Sequence, residues 1–462
     1  MAERPTGRRP DRPVGAGSRG RDTGSRRGER PEEPKFRHSP RGTALAVVLR
    51  VEQGAFAHLA LPEMLRRTQF TSRDRAFVTE LVYGSLREQL SIDHCLRKHC
   101  RWELEELDAD VRGALRLGVY QLTHGVSPHA AVGETVSLVG EKVRGVVNAV
   151  LRSVQDSGIP DPSTERYVRG CYPRWVVEDL DAAYGEADAT ATFATMNTPP
   201  FATLRVNPLR ATQDEVAAEV EAAGGTASHG ELVNSALEVR GAGDLAELGA
   251  IVDGRASVQD QASQAVVALL EAEAGDLIAD VASAPGGKAS AIAELLGDTG
   301  LVVAGDLHDG RMRTLMRGVQ RLGLAAVVPY VADGRNLPLR SGGFDRVLLD
   351  APCSGLGVLR RRPDARLRVT RALIAQVAEL QRAMLVEAAR LVRPGGRLVY
   401  SVCTLTRAET VGVDAFAASE LPEFVALDPP SELWRRAGRG AVLLPHVAGT
   451  DGMFALVLQR DR

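Results

Sequence analysis

Hydrophobic positions change their spacing along this chain, and the change divides it into regions. Between 41 and 155 apolar residues recur every three to four positions, as in Ala44, Val47, Val48 and Val51, which predicts helices almost throughout. From 251 to 462, short apolar runs typical of buried strands alternate with helical spacing, which predicts an α/β domain. Residues 167–250 carry two strand patterns around one helical pattern and predict a small α/β module.

Two strand patterns in the last region end in reactive side chains. Val347–Leu349 leads into Asp350 and Cys353, and Arg397–Tyr400 leads into Cys403. Helical spacing joins them, through Leu373, Val377, Leu380, Met384, Ala388 and Leu391. A right-handed crossover places two such strands parallel, with both carboxyl ends at the ligand-binding edge of the sheet. We therefore expect the carboxylate and both thiols to share one pocket, although a single cysteine could equally be a buried apolar side chain.

A second group of strand ends predicts a cofactor site. The predicted strand 277–281 is followed by the turn 284–288, which contains two adjacent glycines, and then by the helical pattern 289–296. Backbone N–H groups at such a turn bind anionic groups, and the helix dipole favours negative charge there. Asp306 ends the next strand and is placed to accept hydrogen bonds from a ribose. Asp333 follows a third strand.

S-adenosyl-L-methionine matches these three positions, since it offers a carboxylate, a ribose and an adenine amine. A dinucleotide-binding dehydrogenase also combines glycines with a later acid. Two features oppose that alternative. The glycines are adjacent and do not form G-x-G-x-x-G, and hydride transfer does not need two thiols.

Composition limits the class of protein. The 462 residues are 44% hydrophobic and 25% charged, with no signal-peptide pattern and no apolar run of membrane-spanning length, so we expect a cytoplasmic protein with no membrane contact. Five scattered cysteines argue for free thiols. His94, Cys95, His99 and Cys100 lie within one short helical pattern and lack paired-ligand spacing, so we predict no metal site.

Basic residues are unevenly distributed. Residues 1–40 hold eleven Lys or Arg against six Asp or Glu and almost no apolar residues, which predicts a disordered basic tail. Such a tail is either an arm that contacts nucleic-acid phosphates or simply a solvated segment. Residues 156–166, which contain two prolines and lack periodicity, are a predicted linker.

Arginine greatly outnumbers lysine, and both residue types suggest contacts. Only four lysines occur, so Lys288 in the glycine turn indicates a need for a compact ammonium, unless it is a surface residue at a helix start. Six arginines crowd the segment after Cys353: Arg360, Arg361, Arg362, Arg366, Arg368 and Arg371. They could form a solvated face, but their proximity to the predicted site favours contacts with RNA phosphates, from Arg360, Arg361 and Arg362 above all.

Ordered motifs resemble two known families. The stretches 74–84, 116–122 and 147–152 resemble the helical RNA-binding domain of the NusB family. Asp280 with the glycine turn, Asp306, Asp333, the stretch 350–355, the stretch 361–364, Ser401 with Cys403, and 445–454 together resemble the Sun/Fmu family of RNA cytosine-5 methyltransferases. The resemblance implies a multidomain protein: an all-α NusB-like domain over 41–155, the small α/β module over 167–250, and a Rossmann-like S-adenosylmethionine-dependent methyltransferase domain over 251–462.

The resemblance also implies roles for individual residues. Cys403 would be the nucleophile and Cys353 the thiol that assists release, with Asp350 and Lys288 as further catalytic residues. The implied cofactor-binding residues are Ala282, Ser283, Ala284, Pro285, Gly286, Gly287, Lys288, Asp306, Arg311, Asp333 and Asp350. The implied reaction is methylation of carbon 5 of a cytidine in 16S ribosomal RNA by a monomer.

Two other functions stay open, and the motifs show departures. A non-catalytic antitermination factor would need only the NusB-like region, and a DNA cytosine-5 methyltransferase would take its nucleophile from the Pro-Cys stretch. Ala282, Arg362, Ala408, Thr410 and Met453 differ from the family's usual residues. Because they lie beside the predicted chemistry, we expect them to alter packing and loop hydrogen bonds but not the reaction.

Overall fold

The computed structural model describes residues 39–157, 165–428 and 431–462. Most of the predicted basic tail (residues 1–38) and of the predicted linker (residues 158–164) therefore lies outside the described residues. Within the described ranges, no helix is both long enough and apolar enough to cross a membrane.

The first region is helical, as predicted. Its helices are α1 (Pro40–Glu52), α2 (Ala57–Arg66), α3 (Ser72–Arg87), α4 (Gln89–His99), α5 (Ala109–Thr123), α6 (Pro128–Val136) and α7 (Glu141–Asp156). Ser39 caps α1, and a capping box between Thr71 and Asp74 begins α3. Helix α5 is the centre of the core, where Leu115 and Leu117 are fully buried. At Gly84 the backbone of α3 lies against the Tyr120 ring so closely that any Cβ would overlap it.

Three helices follow: α8 (Arg166–Arg169), α9 (Arg174–Tyr184) and α10 (Glu186–Met196). Their apolar residues, including Val176, Leu180 and Phe193, belong to the same buried cluster as the large sheet described below. The predicted module over 167–250 thus includes helices α9 and α10, whose apolar faces bury against the larger sheet.

A four-stranded antiparallel sheet forms the small module. Its elements are β1 (Ala202–Val206), α11 (Gln213–Ala222), β2 (Thr226–His229), β3 (Ala236–Arg240), α12 (Gly249–Val252) and β4 (Ala256–Val258), with strand order β2-β3-β1-β4. The predicted strands 202–206 and 236–239 and the predicted helix 212–222 are found here. The residue pattern over 258–273 predicts a helix, and this prediction is wrong at its start, because Val258 pairs with Leu204 in the sheet and the helix begins at Gln261.

The remaining elements build one nine-stranded sheet and its covering helices. They are α13 (Gln261–Ala268), β5 (Leu277–Asp280), α14 (Gly287–Leu295), β6 (Leu301–Asp306), α15 (Asp309–Leu322), β7 (Val327–Val331), β8 (Phe344–Asp350), α16 (Arg371–Leu391), β9 (Val392–Val402), α17 (Val411–Glu420), β10 (Phe424–Ala426), β11 (Arg435–Ala437), β12 (Gly440–Leu443), α18 (Pro445–Ala448) and β13 (Met453–Arg460). The strand order is β11-β12-β13-β9-β8-β5-β6-β7, and β10 pairs with β13.

Strand direction fixes where the site can lie. Strands β7, β6, β5, β8 and β9 are parallel, so their carboxyl ends meet at one edge of the sheet. The chain runs from β5 outward to β6 and β7 and then returns to β8 on the other side. That reversal is the topological switch point, where open α/β sheets bind ligands.

Candidate active site

The two thiols lie against each other at the carboxyl edge of the sheet. Cys353 follows β8 and Cys403 follows β9, and the register pairs Asp350 with Ser401. Their Sγ atoms are 3.2 Å apart, which is hydrogen-bonding contact between two free thiols. Both residues are only partly buried. The crossover argument from the sequence therefore placed these side chains together, and a reactant can approach them.

Lys288 and Asp350 form an ion pair beside the thiols. Lys288 Nζ donates to Asp350 Oδ2 at 2.7 Å, and Ser401 Oγ donates to Asp350 Oδ1 at 2.8 Å. Burial alone would lower the pKa of Lys288, but the negative charge and hydrogen bond of Asp350 raise it overall. Lys288 is thus a charged residue facing the site and not a surface lysine. Ser401, which orients Asp350, had no predicted role beyond its place in the motif.

Asp280 ends β5 directly beneath this ion pair. Its side chain is fully buried, and neither carboxylate oxygen has a hydrogen-bond partner among the described residues. Burial, and after it the negative charge of Asp350, raises the pKa of Asp280 to about 7. A buried carboxyl group without partners is costly, so this position is suited to a cationic group of a ligand.

The glycine turn is held in place by neighbouring backbone. Gly286 has φ 105°, and a Cβ there would overlap the Leu315 side chain, so the turn needs glycine at this point. The Ser283 N–H donates to Gly305 O at 2.7 Å, which ties the turn to β6. Helix α14 begins at Gly287, and its first N–H groups therefore point out of the sheet edge.

Asp306 and Arg311 stand on the other side of this turn. Asp306 is buried, accepts from the His308 N–H at 3.0 Å, and pairs with Arg311 Nη1 at 3.0 Å. Arg311 also donates to Ala284 O. Arg311 thus links the acid at the end of β6 to the turn, which makes it a positioning side chain for both.

Asp333 ends up near the surface after β7. Arg335 Nη2 donates a hydrogen bond to Asp333 Oδ2 at 2.6 Å. Hydrogen bonding from Arg335 lowers the pKa of Asp333 to about 2. The carboxylate is therefore charged, and a carboxylate has spare lone pairs for a further donor.

The arginine segment differs most from its prediction. Arg360 is buried and donates to Gly449 O at 2.9 Å, so the expectation that it contacts RNA phosphates is wrong. Arg361 pairs with Asp260 at 2.8 Å and Asp451 at 2.9 Å, which leaves it engaged within the protein. Arg362 is exposed and stays available.

Two further arginines of this segment join the helical region to the catalytic region. The Arg366 side chain is almost fully buried, and its Nη1 donates to Arg87 O at 2.9 Å, Cys171 O at 3.0 Å and Asn197 Oδ1 at 2.9 Å. Arg368 donates to Gly54 O at 3.0 Å. The two guanidinium groups thereby satisfy carbonyl or amide oxygens from four separate segments of the chain.

The sequence also missed two buried side chains that support the site. Arg205, on β1 of the small module, bonds Glu294 at 2.8 Å and Gly287 O at 2.6 Å, so it holds the start of α14. A charged residue at the centre of an apolar strand was the available signal. Glu409 is fully buried beside both thiol loops. Its only signal was its place in the stretch 407–410, where Ala408 and Thr410 depart from the family pattern.

These groups together suit S-adenosylmethionine. The N–H groups at the start of α14 can donate to a carboxylate, Asp306 and Asp333 are charged acceptors at successive strand ends, and the buried Asp280 suits an ammonium. When bound, this cofactor supplies an activated methyl group.

Comparisons with known proteins agree with this arrangement. Residues 267–459 match the family model for 16S rRNA methyltransferase RsmB/F, residues 38–156 match the NusB family, and residues 172–246 match the ferredoxin-like domain of RsmF/B-like methyltransferases. A probable ribosomal RNA small subunit methyltransferase B from Bacillus subtilis is 32% identical over 449 residues, covering 91% of this chain and 99% of the relative. Ribosomal RNA small subunit methyltransferase B of Pseudomonas syringae pv. tomato is 34% identical, covering 89% and 94%.

Solved structures give the same picture of the fold. The crystal structure of PH0851 covers 91% of this chain and 99% of its own, with a TM-score of 0.79 and 26% identity. NSun6 from Pyrococcus horikoshii, solved with SFG, covers 63% of this chain at a TM-score of 0.58 and 23% identity, and shows the fold alone. From the length and identity of these matches, the chain belongs to the RsmB/F family of small-subunit ribosomal RNA methyltransferases, which use S-adenosylmethionine.

Proposed function

We propose that this chain transfers a methyl group from S-adenosylmethionine to carbon 5 of a cytidine in 16S ribosomal RNA, through a covalent adduct with Cys403. The observation that carries the proposal is the contact of two thiols, 3.2 Å apart, next to the Lys288–Asp350 ion pair. Methyl transfer to an oxygen or an exocyclic nitrogen needs no thiol, whereas carbon 5 of cytosine is too weak a nucleophile without one.

The thiols solve that problem by covalent catalysis. The Cys403 thiolate adds to carbon 6 of the base, which makes carbon 5 an enamine-like nucleophile. Carbon 5 takes the methyl group and S-adenosylhomocysteine is left; a base then removes the proton of carbon 5, and the electron pair of that carbon–hydrogen bond expels the Cys403 thiolate as the carbon–sulfur bond breaks. Asp350 is placed to hold the ring nitrogen and amine of the base, and Lys288 balances the negative charge.

The surroundings of the two thiols support different roles. Lys288 supplies a positive charge near Cys403, and the charge of Cys403 contributes to the raised pKa of this lysine. The hydrogen bond with Cys403, burial, and the charges of Cys403, Glu409 and Asp350 all raise the pKa of Cys353. A thiol with a raised pKa stays protonated more readily than an ordinary exposed thiol, which suits a role for Cys353 after methyl transfer.

We assign the cofactor-binding residues to the same carboxyl edge of the large sheet. We assign the ribose to Asp306, the adenine amine to Asp333, the carboxylate to the turn 282–288, and the ammonium to Asp280. Arg311 positions the turn. Each assignment pairs a group of the cofactor with a side chain or N–H group of matching charge at a strand end.

The RNA contacts are assigned to the helical region and to exposed basic residues. We propose that 41–155 docks the RNA, that Arg362 contacts a phosphate, and that the basic tail 1–40 adds contacts. The target base must leave its stack to reach the thiols, so a loop or helix end in folded rRNA is the expected substrate.

The test is to identify the methylated nucleoside. The purified chain is incubated with 16S rRNA and methyl-labelled S-adenosylmethionine, and the RNA is digested and analysed by mass spectrometry. We expect label in 5-methylcytidine, with none from Cys403→Ala and none when DNA replaces the RNA. Label in any other nucleoside would contradict the proposal, and label in DNA would favour a DNA cytosine-5 methyltransferase.

A further inference from the structure

Glu409 is a fully buried carboxylate that is surrounded by hydrogen-bond donors. Within the described part of the chain it forms no ion pair, so neutral donors alone satisfy it. They are Ser354 Oγ at 2.6 Å, Thr406 Oγ1 at 2.7 Å, Ser354 N at 2.8 Å, Gln381 Nε2 at 3.1 Å and Thr404 Oγ1 at 3.2 Å. Five donors offset much of the cost of burying a charge, and they leave the carboxylate little freedom to move.

The donors come from both thiol loops. Ser354 directly follows Cys353, and Thr404 directly follows Cys403. Their hydroxyl groups also contact each other, with 2.8 Å between Ser354 Oγ and Thr404 Oγ1. Glu409 Oε2 accepts from both hydroxyls, so one oxygen atom joins the loop after β8 to the loop after β9. The sulfur–sulfur contact stands one residue away from this link.

The link is anchored in two regular elements. Gln381, on α16, donates to Pro352 O at 2.9 Å as well as to Glu409. Tyr400, on β9, donates to Glu409 O at 2.8 Å and lies 3.1 Å from Gln381 Oε1. All of these side chains are buried, and a network with every member bonded gives a rigid arrangement.

We propose that Glu409 is a positioning residue for the reaction: its carboxylate holds the Cys353 and Cys403 loops together and so sets the spacing of the two thiols. Its part in catalysis rests on the proposed function, whereas its effect on sulfur spacing does not. Without the carboxylate, five donors lose their shared acceptor and the two loops are free to separate. The thiol that attacks the base and the thiol that acts afterwards would then no longer lie within reach of one reacting base.

Sulfur spacing can be measured without RNA or cofactor. Phenylarsine oxide binds two nearby thiols by forming two arsenic–sulfur bonds, while its oxygen leaves as water with the two thiol protons. Tight binding therefore requires both sulfurs within a few ångströms of one arsenic atom. With both cysteines in the thiol form, the reactants and products are neutral, so the equilibrium reports geometry and not charge. Cys353→Ser lacks the pair of neighbouring thiols, so its arsenical binding measures the background from the other cysteines.

Four variants of the full chain test the proposal against wild type. Glu409→Ala should weaken arsenical binding at least tenfold and slow methyl transfer to rRNA. Glu409→Gln keeps an acceptor oxygen and the side-chain shape, so it should recover most of both. Ser354→Ala removes two of the hydroxyl contacts and should fall between them. Asp414→Asn is the matched control, because Asp414 is also a buried carboxylate and pairs with Arg439 away from the thiols.

The outcomes separate this proposal from the methylation mechanism. If Glu409→Ala binds phenylarsine oxide as tightly as wild type, the positioning role is wrong, whatever the methyltransferase activity of the variant. If Glu409→Ala does not fold, wild-type affinity in Ser354→Ala would overturn it in the same way, and an intermediate affinity would support it. A wild-type chain that binds the arsenical tightly but places no methyl group on carbon 5 of a cytidine in rRNA would contradict the proposed function and leave the positioning role intact.

Discussion

The carboxyl edge of the large sheet and the arginine segment 360–371 lie next to each other, yet they are built in opposite ways. At the sheet edge the chemical groups follow single strands, as Asp350 follows β8 and Cys403 follows β9, and their relation is set by strand register. In the arginine segment, Arg360, Arg361 and Arg366 are matched to oxygens from elsewhere in the chain. The three acceptors of Arg366 lie 169, 195 and 279 positions away in the sequence.

The difference shows that a run of positive charge is not by itself a nucleic-acid surface. Arg360 and Arg366 are buried, and their donors satisfy backbone oxygens that would otherwise be buried without partners. Guanidinium is well suited to this, because its donors form a planar fork and it is weakly hydrated. The segment therefore joins domains, and Arg362 alone of the first three arginines is left exposed.

The largest effect is expected when the hydrogen bonds of Arg366 between the domains are removed. Arg366→Met should lower the free energy of unfolding by about 3–5 kcal/mol, because three buried oxygens lose a charged donor. Arg371→Met is the matched control, since Arg371 is exposed and its pair with Glu178 is 3.4 Å long, so a change within about 0.5 kcal/mol is expected. Urea unfolding measures both. Equal stability of the two variants would show that Arg366 does not hold the domains together.

Stability at the sheet edge should depend on pH through Asp280. Its folded pKa of about 7 lies above the ordinary value of about 3.9 for an unfolded chain, so the folded state holds the proton more tightly. The stability from this group is then present below about pH 4 and is lost as pH rises toward about 7.

Asp280→Asn, which cannot ionise, should remove that loss, worth up to about 4 kcal/mol. The measurement is urea unfolding without cofactor at several values between pH 4.5 and 7.5. Parallel pH profiles for the variant and the wild type would show that Asp280 has an ordinary pKa.

Cofactor binding tests the acid on the neighbouring strand. Asp306→Ala should raise the dissociation constant of S-adenosylmethionine by about 30-fold to 1,000-fold, since two hydrogen bonds to a charged acceptor are worth about 2–4 kcal/mol. Asp309→Ala removes an exposed acid three residues later and should leave the affinity unchanged. Isothermal titration compares them. If Asp306→Ala binds S-adenosylmethionine as tightly as wild type, the ribose does not bind at this strand end.

The smallest effect is expected at the exposed arginine. Arg362→Gln should weaken rRNA binding only a few-fold at physiological salt and reduce the slope of log affinity against log salt by about 1. Arg340→Gln is the control, because Arg340 is exposed but precedes β8 and so lies toward the opposite edge of the sheet. If both variants keep the wild-type slope, Arg362 makes no phosphate contact.

Much of the fold followed from periodicity, and the site followed from strand ends. The parallel pairing of β8 with β9 and the contact of Cys353 with Cys403 needed only local patterns and the handedness of the crossover. The C-terminal strands β10 to β13 were not predicted, because short apolar runs there have no alternating helices to mark them as strands.

Other parts of the site depended on contacts between distant segments. Arg205 reaches the cofactor turn from a separate sheet, and Glu409 is defined by donors from three elements. Neither residue has a local pattern that names its partners. The polarity of a single buried side chain was visible in the sequence, but the group that satisfies it was not.

The central claim is that the two thiols have different roles, and covalent capture of RNA tests it most directly. Wild type, Cys353→Ala and Cys403→Ala are each incubated with 16S rRNA and S-adenosylmethionine and run on a denaturing gel. Cys353→Ala should accumulate a slowly migrating protein–RNA adduct, because it attacks the base but cannot complete release. Cys403→Ala should form none while still binding the cofactor. The reverse pattern would make Cys353 the nucleophile, and wild-type behaviour in both variants would contradict the thiol mechanism.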